Sequence, residues 1–207
     1  MSAADPRRRF RRIRRAFDRL SHYHAIADMG GIARRYFAMN AFDGVLTTLG
    51  ILVGAFVGGV EKAGAVVSVV AAAAASMGVS GAYGSYLIER AERRRTMQEL
   101  EEYTLSRLKD TQIGAASLYA SLVVAVIDGL SPALAAAIVL IPFFVSGSSH
   151  LHAAYYAGGA IAFGELFLLG MFIGRVSRER LVLSGLKLVV AGVVSLGLSL
   201  LLNIGKL

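Results

Sequence analysis

An aspartate stands at the head of a membrane-length apolar stretch: Asn40-Ala41-Phe42-Asp43-Gly44 runs straight into Val45–Val60. A carboxylate at that depth costs about 2.5–3.5 kcal/mol on insertion scales, so such residues usually face a protein interior or a wet cavity and handle ions or protons. On a helix, Asp43 shares one stripe with Asn40, Thr47 and Gly50. A second signal, Ser76-Met77-Gly78, follows one helix later, and there Met77 aligns with Ser80, Gly81 and Gly84. Where the two stripes meet, carboxylate oxygen and thioether sulfur would be offered together. That mixture suits a borderline-soft divalent ion such as Fe²⁺ better than Mg²⁺ or Ca²⁺, which favour all-oxygen shells. A carboxylate binds metal when deprotonated and releases it when protonated, so one residue can couple metal to protons. The plainer readings are ordinary packing for Met77 and a structural hydrogen bond for Asp43.

Other residues carry weaker signals. Glu165 lies in the apolar run Phe163-Gly164-Glu165-Leu166. It reads equally as part of an ion or proton path and as a helix-packing hydrogen bond. Glu99 and Glu102 share one face of a charged stretch and are the cytoplasmic metal candidates, with weak binding at best. Asp128-Gly129-Leu130-Ser131-Pro132 reads as a turn, because Asp and Gly suit tight bends and Pro suits a helix start; Asp128 is expected as its cap, with a place in the lining of an inner vestibule as the alternative. The pairs His22/His24 and His150/His152 would point apart on a helix and read poorly as shared ligands. Glu89 and Glu92 read as partners for Arg93–Arg95.

The elements that must position these residues follow from hydropathy. The chain has 207 residues, 56% of them hydrophobic, and a mean hydropathy of +0.60. Apolar windows of about 20 residues read as spanning helices. Five are expected, over 40–60, 64–88, 130–147, 152–174 and 182–203. The apolar run 113–127 is short for a crossing and is expected to be interfacial or re-entrant. The fold class is therefore all-α and polytopic. Residues 1–34 form a basic cytoplasmic segment and 35–207 the transmembrane domain, with 89–129 as a helical cytoplasmic or interfacial connection. Gly50 and Gly54 form a GxxxG pattern, and the second span is mostly small residues; both favour close helix packing and an oligomeric bundle. No signal peptide is expected from the basic N-terminal region. Cysteine is absent, which excludes disulfides and thiolate ligands.

Charge sets the expected orientation. Of 22 Lys and Arg, all but Lys62 and Lys206 fall on one side of a five-span arrangement. The positive-inside rule then places the N-terminus in the cytoplasm and the C-terminus outside, in a plasma membrane. A sixth span at 113–127 would move the cluster Arg175–Lys187 outside. Phe10, Ile13, Phe17 and Leu20 share a helical face within an Arg-rich segment, so residues 6–20 read as an amphipathic helix lying on an anionic leaflet rather than as a nucleic-acid binder. No nucleophile motif, paired catalytic acids or phosphate-cradling loop is present, so an enzyme is not expected, nor is a bound cofactor.

Asn40-Ala-Phe-Asp43-Gly44-Val-Leu-Thr47-Thr48-Leu49-Gly50 resembles the first-helix pattern of the vacuolar iron transporter family. Ser76-Met77 with the charged extension Glu89–Glu102 is similar to that family's second helix, and Ile138–Phe144 to its third span. The resemblance covers about residues 35–204. It implies five spans, a homodimer, and export of cytosolic Fe²⁺ or Mn²⁺ in exchange for protons. It also implies an ion path between two subunits lined by Asp43 and Met77. Gly81-Ala82-Tyr83 lacks the acid of the family's Gly-Glu-Tyr, and the connection between spans two and three is short, as in a short prokaryotic branch. The competing expectations are a channel or transporter for another ion on the same fold, and a non-transporting membrane scaffold.

Overall fold

A computed structural model describes residues 29–105, 107–108, 111–146 and 150–204. The amphipathic helix expected over 6–20 and the pair His22/His24 lie outside the described residues. Six helices follow in order: α1 (Met29–Val57), α2 (Ala63–Thr104), α3 (Gln112–Val139), α4 (Ile141–Ser146), α5 (Leu151–Ser177) and α6 (Leu181–Ile204). All but α4 are long and apolar enough to cross a membrane. Among the described residues there is no strand, so the all-α polytopic expectation holds.

The helices bury narrow stripes and leave the rest of their apolar surface outward. On α1 the buried residues are Ala38, Ala41, Val45, Thr48, Leu49 and Leu52, at helical spacing. On α2 they are Ala63, Val66, Val70 and Ala74, then Ser85 and Glu89. Ile138, Leu168, Val193 and Leu201 point outward, as expected where lipid rather than water is the solvent. In α2, 42 residues at about 1.5 Å each make a helix of roughly 63 Å, twice the hydrocarbon thickness of a bilayer. Its charged half therefore projects beyond the membrane, as its sequence suggests. It ends at Leu105, a left-handed cap with φ of 49°.

The third span departs from expectation. Residues 113–127 are not a separate re-entrant segment, and Asp128–Pro132 is not a turn. Both belong to one continuous 28-residue helix, α3, that carries Pro132 in its interior. Proline removes a backbone donor, but in an apolar bundle neighbouring helices and Ser or Thr side chains can re-satisfy the local backbone. Here the Ser131 hydroxyl donates back to the Ile127 carbonyl. Gly44 of α1 crosses directly against Pro132: a Cβ at Gly44 would lie 2.6 Å from its Cα and carbonyl oxygen. The helix instead breaks at Leu140, two residues before Pro142, which opens α4. The expected span over 130–147 thus merges the end of α3 with α4. The stretch Ser146–His152, polar enough to read from sequence as an outer loop, is shorter as a loop, since Ser146 ends α4 and His152 already lies within α5. The number of crossings stays five, because 113–127 is the first half of the third rather than a sixth.

α3 lies antiparallel along α2 and also packs on α1, while α5 pairs with α6 and leans on α1. The α2–α3 crossing depends on missing side chains. A Cβ at Gly129 would stand 2.8 Å from the Ala82 Cβ and 2.9 Å from the Gly78 carbonyl oxygen. Gly129→Ala should therefore cost about 1–3 kcal/mol by overpacking. The check is detergent-phase thermal unfolding, with Gly54→Ala as control, since a Cβ there meets nothing within 4 Å. The expected GxxxG pair is accordingly not the close crossing within the chain: Gly54 is open and Gly50 meets only the Ser199 hydroxyl, at 3.7 Å.

The two ends of the bundle differ. One carries Arg34, Arg35, Arg90, Arg94, Arg175, Arg178 and Arg180. At that end Glu179 bridges the α5–α6 connection, 2.7 Å from Lys187 Nζ and accepting from the Ser184 hydroxyl at 3.1 Å. Lys187 and Ser184 hold its carboxyl below the usual range. The other end is aromatic: the Phe56 ring meets His152, Tyr155 and Tyr156 edge-on, at 6.0, 5.3 and 5.8 Å. Tyr155 donates to the Val60 carbonyl at 3.0 Å, pinning the α1–α2 turn, where Gly59 takes a φ of 67°. Aromatic girdles of this kind mark the level of lipid headgroups.

Candidate functional site

Asn40, Asp43 and Thr47 follow one another on one face of α1. Asn40 is half-buried and uses both amide hydrogens: one bonds the Tyr36 carbonyl at 3.0 Å, the other the Asp128 carboxylate of α3. Asp128 is 5% exposed and lies beside Ser85 of α2, whose own hydroxyl donates to the Ala82 carbonyl at 3.4 Å. Gly81, one turn before Ser85, lets α2 approach: a Cβ there would stand 3.4 Å from Asp128 Oδ2. Three helices therefore converge on one carboxylate. Asp43 stands near enough for the two charges to interact, and it is itself exposed on the surface of the single chain.

The α1 and α2 stripes do approach each other, but around a residue read from sequence as a turn cap. The Asp-Gly and Ser-Pro pairs gave that reading. The missed signal was period: Ala120, Val124, Asp128, Ser131 and Ala135 are all buried, at spacings of three and four. Helical phase carried through the proline would have placed Asp128 on the inner face.

Met77 is half-buried on α2, three residues beyond buried Ala74 and four before Gly81. It lies about one turn from the residue that touches Asp128. Thr47 is half-buried on the Asp43 face, whereas its neighbour Thr48 is buried and closes on the Gly44 carbonyl at 2.8 Å. Glu165 lies elsewhere. It lines a groove of about 680 Å³ with Phe37, Ala41, Ser131, Ile138 and Phe172, and none of Asn40, Asp43, Thr47 or Met77 borders that space. Its Oε2 is buried without a hydrogen-bond partner.

The charged extension of α2 is held by local pairs. Glu89 is buried and bonds Arg93 at 2.8 Å, and Glu99 pairs with Arg95 at 3.2 Å. Glu102 is exposed. Among the described residues no three of His, Asp and Glu stand together as a metal cluster. His150 caps α5 while His152 turns to Phe56, so the two do not converge.

Five helices of spanning length, an apolar exterior and a polar cluster between three of them define a multi-pass membrane protein. No protein-family model matches the chain. It is similar to an uncharacterized protein of Methanocaldococcus jannaschii, 29% identical over 163 residues, covering 77% of this chain and 83% of that one.

Proposed function

We propose that this protein carries a divalent transition metal, Fe²⁺ or Mn²⁺, out of the cytosol in exchange for protons. The observation that carries the reading is the pair of carboxylates where α1, α2 and α3 meet: Asp128, buried and held by Asn40, and Asp43 beside it on the outward face of α1. Two like charges in a poorly screened site repel strongly. A divalent cation neutralises both, and protons can do so in its absence, which is the arithmetic of an exchanger. Asn40 fixes Asp128 by a hydrogen bond, leaving Asp43 as the accessible ligand. Met77, about one turn from Gly81, would add the soft donor that favours Fe²⁺ over Mg²⁺.

Asp43 is open on the single chain, and a second copy covering it would relieve an exposed carboxylate in lipid. This supports a homodimer with the ion path at its seam, as the resemblance to vacuolar iron transporters implies. Glu165 would belong to a separate proton route, and the protein would act without a cofactor or a chemical reaction. The N-terminus would be cytoplasmic and the C-terminus outside a plasma membrane, since the Arg-rich end of the bundle is the cytoplasmic one under the positive-inside rule. A C-terminal reporter active only outside the cytoplasm should be active, and activity of a cytoplasm-only reporter would overturn this orientation.

The deciding experiment is metal-dependent proton flux in liposomes containing the pure protein. Metal entry with proton movement in the opposite direction is expected. Metal entry without proton movement would point to a channel, and no flux of either ion to a scaffold.

A further inference from the structure

The projecting half of α2 and the first turns of α3 enclose a cleft of about 720 Å³, at the Arg-rich end and away from the Asp43–Asp128 cluster. Arg90 and Arg94 line it from α2, one turn apart on one face, opposite Ser117, Gly114 and Thr111. Their neighbours are spoken for: Arg93 bonds Glu89 and Arg95 bonds Glu99. Arg90 and Arg94 make no ion pair among the described residues. The acid in the wall, Glu101, accepts the Leu108 backbone N–H at 2.5 Å and so braces the α2–α3 connection. Two guanidinium groups thus share one concave wall.

We propose that this cleft binds a phosphate group. Guanidinium forks match phosphate oxygens in a bidentate fashion, and two of them a turn apart can hold one phosphate from two sides. The cleft has room for more than the phosphate. Its rim also continues into apolar helix surface: Ile113 and Leu118 are exposed beside it, with Leu122 one turn deeper on α3. A phosphate there can therefore belong to an anionic lipid whose chains lie along α3, or to a free phosphate from the aqueous side.

The test uses delipidated full-length protein in detergent, with binding read by native mass spectrometry and by the shift in thermal unfolding. The probes are phosphatidylglycerol, diacylglycerol, which lacks the phosphate, and inorganic phosphate. The variants are R90Q/R94Q, R90K/R94K, and R180Q, an exposed arginine at the same end of the bundle that does not line the cleft. The wild type should bind phosphatidylglycerol but not diacylglycerol. R90Q/R94Q should bind it at least about tenfold more weakly, a loss of about 1.4 kcal/mol. R90K/R94K should bind at an intermediate level, since it keeps the charge without the fork, and so separates ligand loss from misfolding. R180Q should match the wild type. Binding of inorganic phosphate with the same dependence on Arg90 and Arg94 would support the site with a soluble ligand. Equal binding of both phosphate probes by wild type and R90Q/R94Q, or no binding of either by the wild type, would overturn it. Neither outcome depends on whether the protein transports metal.

Discussion

Asp43→Asn should fold, insert and elute like the wild type, yet reduce both metal uptake and the linked proton flux to the level of empty liposomes. Asparagine keeps the volume and a hydrogen-bonding group but loses the charge and the titratable proton. Among the described residues Asp43 makes no hydrogen bond or ion pair, and it is exposed on the single chain, so little packing depends on it. Removing its charge should even ease insertion, because an uncompensated carboxylate in an apolar span is unfavourable. Loss of transport with stability unchanged or slightly raised would separate an ion ligand from a structural group. Met77→Leu should be milder, because it removes a thioether and keeps the volume. Flux should persist with reduced preference for softer metals, read as a changed ratio of Fe²⁺ to Mn²⁺ uptake. Transport by Asp43→Asn at the wild-type rate would remove the ion path proposed here, whatever remains of the fold.

The sequence was informative where one physical rule dominated and ambiguous where two competed. Hydropathy together with the one-sided distribution of Lys and Arg gave five spans, but set the third over 130–147 instead of Gln112–Val139. In α3, local turn chemistry opposed helical period. Asp128-Gly129 and Ser131-Pro132 are good turn residues in water, where a freed carbonyl meets solvent. Inside a bundle the backbone must be satisfied internally, so the helix continues and the glycine serves as a contact point for Gly78 and Ala82. The same glycine that signalled a turn is the residue that lets α2 and α3 touch. Pro142 illustrates the opposite outcome: near the aromatic end of the bundle the chain breaks before it and α4 begins. Asn40 was legible as a polar neighbour of Asp43, but its partner was not. Its contact spans 88 residues and depends on the helix crossing at Gly44 and Pro132, which no local pattern encodes.

Asp128 gives the second large expected effect, and two substitutions divide its roles. Asp128→Leu leaves an Asn40 amide hydrogen facing a hydrocarbon side chain. A buried donor without an acceptor costs about 1–3 kcal/mol, so this variant should unfold at clearly lower temperature in detergent. Asp128→Asn keeps an acceptor oxygen for the Asn40 amide, and its fold should be retained. What it loses is the second negative charge beside Asp43. If the pair shares a divalent ion, flux should fall by about 10–100-fold, the range seen when a group that orients or supports a metal ligand is removed. The loss should lie mainly in apparent metal affinity, read from flux against metal concentration, because Asp43 remains to conduct. A purely structural peg predicts another pattern: Asp128→Leu unstable, Asp128→Asn transporting like the wild type. That outcome would leave Asp43 alone in the path and would require the second charge to come from another copy of the chain. Measuring both variants alongside Asp43→Asn therefore decides whether one subunit or two supply the charges that a divalent ion meets.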